Sequence, residues 1–184
     1  MKKNRSGLAV LVCAVMMPAA SGCGDQDLAV PQRFCHVPVK KSSLSPLLPD
    51  GESLKLTYSA SGGGPAYCDV QVDGHLILSA MVARWDRKPG PATGEEVGSP
   101  HEHTAKREVS FPGYASFGSS IAIVRAKCDS ASASRYVSVV LDFYGERVDE
   151  SPTGYKKLLR FVNDFVPGLT KNFRCTKQRG SLRG

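Results

Sequence analysis

His101-Glu102-His103 is the one local cluster in this chain with metal-ligand character. On an extended segment the two imidazoles point the same way and could share an ion. Helical zinc sites space their histidines four apart, however, and neither a third ligand nor a CxxC pair accompanies them. His101 and His103 are therefore the only metal candidates, a surface loop is the simpler reading, and no metal or other cofactor is expected. Nucleophilic chemistry has no better footing. Gly113-Tyr114-Ala115-Ser116-Phe117-Gly118 has one residue too many for the G-x-S-x-G elbow and lacks the helix that must follow it, so a turn between strands is expected there. Gly62 to Gly64 lacks the lysine and helix of a phosphate-binding loop. Two carboxylates brought together only in space, as glycosidases use them, would leave no trace in sequence. A hydrolase is kept as the alternative function on that ground, and no residue is assigned as catalytic.

Cys23 has a clearer context. Lys2, Lys3 and Arg5 precede an apolar run from Leu8 to Met17, and Pro18-Ala19-Ala20-Ser21-Gly22 leads into the cysteine. This is the layout of an export signal: a positive end, a short apolar core and small residues where a peptidase binds the chain extended. Spanning a bilayer takes about 20 apolar residues, more than this core supplies. Ala20-Ser21-Gly22-Cys23 resembles the bacterial lipobox, with Ala20 where leucine is usual. The resemblance implies a signal peptide over residues 1–22, cleavage before Cys23 and fatty acylation of that cysteine. Two or more acyl chains anchor stably where one binds only marginally. The expected location is thus the outer, extracytoplasmic face of the cell membrane, with lipid on Cys23 as the membrane contact.

Loss of Lys2, Lys3 and Arg5 lowers the formal charge of +7 to +4, and the remaining length suits one domain. From Tyr155 onward eight lysines and arginines face one acid, Asp164. Such a basic end, with Lys156, Lys157 and Arg160 at its start, could bind an anionic envelope polymer or a protein partner. A solvated helix face is the plainer alternative. Nucleic acid is not expected as a partner of an exported protein whose basic residues have no interleaved aromatics. With Cys13 discarded and Cys23 acylated, Cys35, Cys68, Cys128 and Cys175 remain, an even number that in an oxidising compartment reads as disulfides. Of three pairings, Cys35–Cys68 and Cys128–Cys175 are expected, because each closes a loop within one half of the chain and the second tethers a terminus.

The elements that must position these residues alternate in period. Residues 23–33 form a short polar tether, residues 34–184 the domain, and residues 176–184 a basic tail. Leu44 to Leu48 allows at most one helical turn beside Pro46 and Pro49. Ser53 to Tyr58 alternates as a half-buried strand. Tyr67 to Val72 and His75 to Leu78 flank Asp73-Gly74 as a hairpin. A three-residue loop pairing Val72 with Leu76 would keep Val70, Val72, Leu76, Leu78 and Ala80 on one face. Residues 86–107 have no apolar period and read as a long exposed loop, of a kind often functional. Strands resume at Ser119 to Lys127 and Tyr136 to Phe143. Ser151-Pro152 then caps a helix over residues 152–166, with Tyr155, Leu158, Leu159, Val162, Phe165 and Val166 on one stripe and Pro167-Gly168 ending or kinking it. The fold class expected is α+β: an antiparallel sheet of about four to six strands with this amphipathic helix packed on one face.

The series Cys35, Leu47-Leu48-Pro49-Asp50-Gly51, Cys68-Asp69-Val70, Cys128, Val137-Ser138-Val139, Leu158, Phe161 and Cys175 resembles small, uncharacterised lipoproteins of streptomycetes and related actinobacteria. The resemblance covers most of the mature chain. It implies an envelope location and an α+β domain, with no catalytic residue to carry over. The function expected is a membrane-anchored, non-catalytic binding or interaction module, the alternative being a cell-envelope hydrolase.

Overall fold

Period-two alternation along most of the domain becomes sheet, and the single long period of 3.6 becomes a helix laid over it. The computed structural model describes residues 28–60, 62–88, 104–118, 120–129, 134–145 and 154–175. The expected signal peptide, Cys23, His101, His103, the Ser151-Pro152 cap and the 176–184 tail lie outside them. Arg33–Phe34 (β1) and Val37–Pro38 (β2) form a two-stranded ribbon, followed by a short helix at Lys41–Leu44 (α1) and a 3-10 turn at Ser45–Leu47. The main sheet comprises Leu54–Ala60 (β3), Ala66–Val72 (β4), His75–Trp85 (β5), Ala105–Arg107 (β6), Gly113–Phe117 (β7), Ile121–Lys127 (β8) and Tyr136–Phe143 (β9). Its order is β3-β4-β5-β9-β8-β7-β6, and every neighbouring pair is antiparallel. Gly154–Asn172 (α2) completes an α+β domain.

One face of the sheet carries the core. Val70, Leu78, Leu141 and Val124 lie among its buried residues, as do Leu158, Phe161, Val162 and Phe165 of α2. Complete burial of each large apolar side chain contributes about 1.5–3 kcal/mol, so α2 is held chiefly by this stripe. The buried face of α2 is broader than the expected stripe because it meets two surfaces. Phe161 stacks on Phe165, and both rings meet Phe34 of β1 edge-on, with centroids 5.6 and 5.1 Å away. The core face is therefore covered by α2 and the N-terminal ribbon side by side. Leu28 and Val30, assigned to the tether from sequence, pack against this core, and Arg33 already belongs to β1. The opposite face holds a smaller apolar cluster, Ile121, Ile123 and Val140, with Met81 against it.

Several expectations need correction. The sheet has seven strands among the described residues, because Gly113–Phe117 is a strand rather than a turn and Ala105–Arg107 is an edge strand inside the stretch read as loop 86–107. Three residues of an edge strand are too few to show a period. At the hairpin, Val72 pairs with His75, and Asp73 and Gly74 have φ of 51° and 80°, the doubly left-handed type I′ turn. A bulge then restores phase: Gln71 pairs with Leu76 but Val70 with Leu78. Val70, Val72, Leu78 and Ala80 share the core face as expected, whereas Leu76 does not. Finally, α2 runs through Pro167 and Gly168 to Asn172. Leu169 and Thr170 are buried beyond the proline, and the Thr170 hydroxyl donates to the Pro167 carbonyl at 3.0 Å, so packing outweighs the lost backbone bond.

Both expected disulfides, Cys35–Cys68 and Cys128–Cys175, are formed. Each joins one cover to the sheet. Cys35 sits in the β1–β2 turn and Cys68 on β4, while Cys175 follows α2 and Cys128 follows β8.

Candidate functional site

The basic residues singled out from sequence lie along α2, where the helix meets α1. Asp164 organises the junction. Its Oδ2 accepts the Lys40 backbone N–H and the Ser43 hydroxyl, both at 2.7 Å, and Lys40 Nζ lies 3.5 Å from Oδ1. Burial works against ionisation of this carboxyl. The Lys40 amide, the Ser43 hydroxyl and the Lys40 charge together outweigh it and hold the pKa below the ordinary 3.8. A partly buried carboxylate so tied acts as the cap of α1, which has no side-chain cap from its own N-terminal residue.

Lys40, Ser42, Ser43, Arg160, Asn163 and Asp164 line a cleft of about 380 Å³ here. Lys156 stands one helical turn before Arg160, and both are exposed. Lys157 is half-buried and already engaged in an interaction. Only two of the three basic residues predicted from sequence thus present an open charge, and the charge of Lys40, just before α1, is paired with Asp164. Asn163 is occupied from the other side: its Oδ1 accepts the Ser110 N–H at 2.8 Å and the Ser110 hydroxyl at 3.1 Å. The Arg107 guanidinium lies 4.6 Å from the centre of the Tyr155 ring, which brings the last residues of the predicted loop, 104–107, beside the start of α2. Lys40, Ser42 and Ser43 were not legible as site residues, since nothing local in the sequence links them to a helix more than a hundred residues later.

The opposite face of the sheet holds the nearest approach to an acid–hydroxyl arrangement. Thr57, Asp69, Ser79 and Asp142 follow one another across β3, β4, β5 and β9. Asp69 accepts the Ser79 hydroxyl at 2.7 Å and the Thr57 hydroxyl at 3.4 Å. Among the described residues no imidazole is bonded to this serine, and a serine that only donates to a carboxylate is not activated as a nucleophile. Tyr144 stands near this row, and burial first, then the charges of Asp142 and Asp69, push its phenol pKa up from 10.0. Among the described residues no group of three or more histidines, cysteines or acids is placed to hold a metal ion. Comparison with family models, characterised proteins and solved structures finds no match for the chain.

Proposed function

We propose that this protein is an exported lipoprotein, acylated on Cys23 and held at the outer face of the cell membrane, whose domain is a non-catalytic binding module for an anionic envelope polymer or protein partner. The observation that carries the reading is the use of its cysteines. Cys35, Cys68, Cys128 and Cys175 are all consumed in two disulfides, which persist in oxidising compartments, and Cys23 follows an export signal. The α1–α2 junction supports the choice of an anionic partner, because Arg160 lines the cleft there and Lys156 is exposed one helical turn away, while Asp164 is tied to an amide, a hydroxyl and the Lys40 ammonium.

Expression of the full chain in a bacterium that acylates lipoproteins tests the address. Wild type should fractionate with membranes and carry lipid at a new N-terminus on Cys23, as read by mass spectrometry. Cys23→Ala should lose the lipid and leave either uncut precursor or a released form. A Cys23→Ala product as short and as membrane-bound as wild type would sink the proposal. For the binding reading, affinity for an anionic wall polymer should fall steeply between 50 and 300 mM salt, roughly the range over which screening shortens from more than 10 Å to under 8 Å. It should fall again in the Lys156→Gln, Lys157→Gln, Arg160→Gln triple variant, and salt-independent binding would overturn the assignment.

A further inference from the structure

The sheet face turned away from α2 carries an arginine that no described residue compensates. By strand register, Arg125 of β8 stands between Tyr114 of β7 and Ser138 of β9. The next row places Trp85, Tyr136 and Lys127 side by side across β5, β9 and β8. Arg125 is 8% exposed, its Nε has no hydrogen-bond partner, and no carboxylate is paired with it among the described residues. Burying the Nε without a hydrogen bond is unfavourable, and an oxyanion placed at this edge would supply the missing acceptor. The surroundings indicate which kind. Trp85 is 42% exposed, and its Nε1 donates to the Ser138 hydroxyl at 2.6 Å, which fixes the indole beside Arg125. Lys127 repeats the positive charge two residues along the same strand, about 7 Å away. Lys106 lies 6.0 Å from the centre of the Tyr114 ring on the other side.

We infer that this corner of the sheet binds an anionic saccharide, with the sugar ring on Trp85 and its carboxylate or phosphate held by Arg125 and Lys127. The inference rests on the reading of the domain as an envelope binding module and names its ligand class. A guanidinium pairs best with a planar or tetrahedral oxyanion in a forked geometry. A fixed, half-exposed aromatic face offers apolar contact to the C–H face of a ring. A neutral sugar would leave Arg125 unpaired, and an anion without a ring would leave Trp85 unused.

Trp85 is the single tryptophan of the chain, so its fluorescence reports on this site alone. The full acylated chain in neutral detergent is titrated with tetragalacturonate, with maltotetraose as the uncharged control. Saturable change in Trp85 emission is expected with the uronate and none with maltotetraose. Arg125→Gln should weaken uronate binding at least fivefold. Arg125→Leu should weaken it as much while leaving the thermal midpoint unchanged or raised, because an apolar side chain removes the unpaired charge. Absence of a Trp85 response, an equal response to maltotetraose, or a smaller loss in Arg125→Gln overturns the site. If uronate binding is lost instead in the Lys156, Lys157, Arg160 triple variant and kept in Arg125→Gln, this site falls and the proposed binding function stands. Wild-type chain found without lipid on Cys23 in the separate acylation experiment would fail the proposed address without touching this site.

Discussion

Asp164 is the only acid from Tyr155 to the end of the chain, and its position among bases is explained by what it holds rather than by what it could bind. It accepts an amide and a hydroxyl from α1, and hydrogen bonds to a charged group each contribute about 1.5–3 kcal/mol. Asp164→Asn should therefore lower stability at neutral pH by about 1–3 kcal/mol, as read from urea unfolding. The pH dependence has a definite sign. Because the folded carboxyl titrates below the ordinary 3.8, its contribution is complete above that value and is lost as pH falls through the folded pKa. The gap between wild type and Asp164→Asn should accordingly close in strong acid, and a gap that persists unchanged would mean packing rather than charge is responsible. Asp73 works similarly at another turn. The Ser53 amide is the largest cause holding its carboxyl pKa down, helped by the Ser53 hydroxyl and the Glu52 amide.

At the scale of elements, α2 is where propensity and packing disagree. Pro167 and Gly168 read as a stop, yet the helix continues for a further turn. Gly168 is explained by its neighbour: a Cβ there would lie 2.5 Å from Val37 Cγ1, so glycine lets β2 approach the helix backbone. Alanine favours helix over glycine by about 1 kcal/mol, whereas overpacking a dense core costs about 1–3 kcal/mol. Since Val37 is fully buried, the clash should win. Gly168→Ala is expected to destabilise by about 1 kcal/mol, and the double variant with Val37→Ala should cost less than the sum of the two singles. Additive losses would show that the contact is not the constraint. Val162, also fully buried on α2, gives the coarser check. Val162→Asp places a charge with no partner against the sheet, and a stable, exported product would mean that the stripe does not face the core.

Among the described residues the sheet has two covers that pack against each other, and each disulfide ties one of them down. Removing a native disulfide from a small secreted domain typically costs about 2–5 kcal/mol. The two losses should differ in kind. Cys128→Ser with Cys175→Ser should expose the end of α2, so trypsin should cut first at Lys171 or Arg174. Cys35→Ser with Cys68→Ser should instead loosen the ribbon that packs Phe34 on Phe161 and Phe165, with cleavage first near Arg33, Lys40 or Lys41. Identical digestion patterns would show that the domain opens as one unit.

How much of this was legible depended on distance along the chain. Residues close in sequence carried the class of the fold, the strands at Tyr136–Phe143 and Tyr67 to Val72 and the amphipathic stripe of α2, because periodicity and local chemistry are written residue by residue. The disulfide pairing was also accessible, since loop closure depends only on separation along the chain and each pair lies within one half of it. The exact hairpin register at Asp73-Gly74 was not, because a bulge can reset the phase two residues later at no cost visible in the pattern. Nor was the passage of α2 through Pro167, which depends on Leu169 and Thr170 finding buried places. The sites were the least legible of all. Lys40 and Arg160 come to line one cleft, and Arg125 comes beside Ser138, to which Trp85 is bonded, only after the chain has folded, and that arrangement is decided by how the whole apolar surface is buried rather than by any residue's neighbours in sequence.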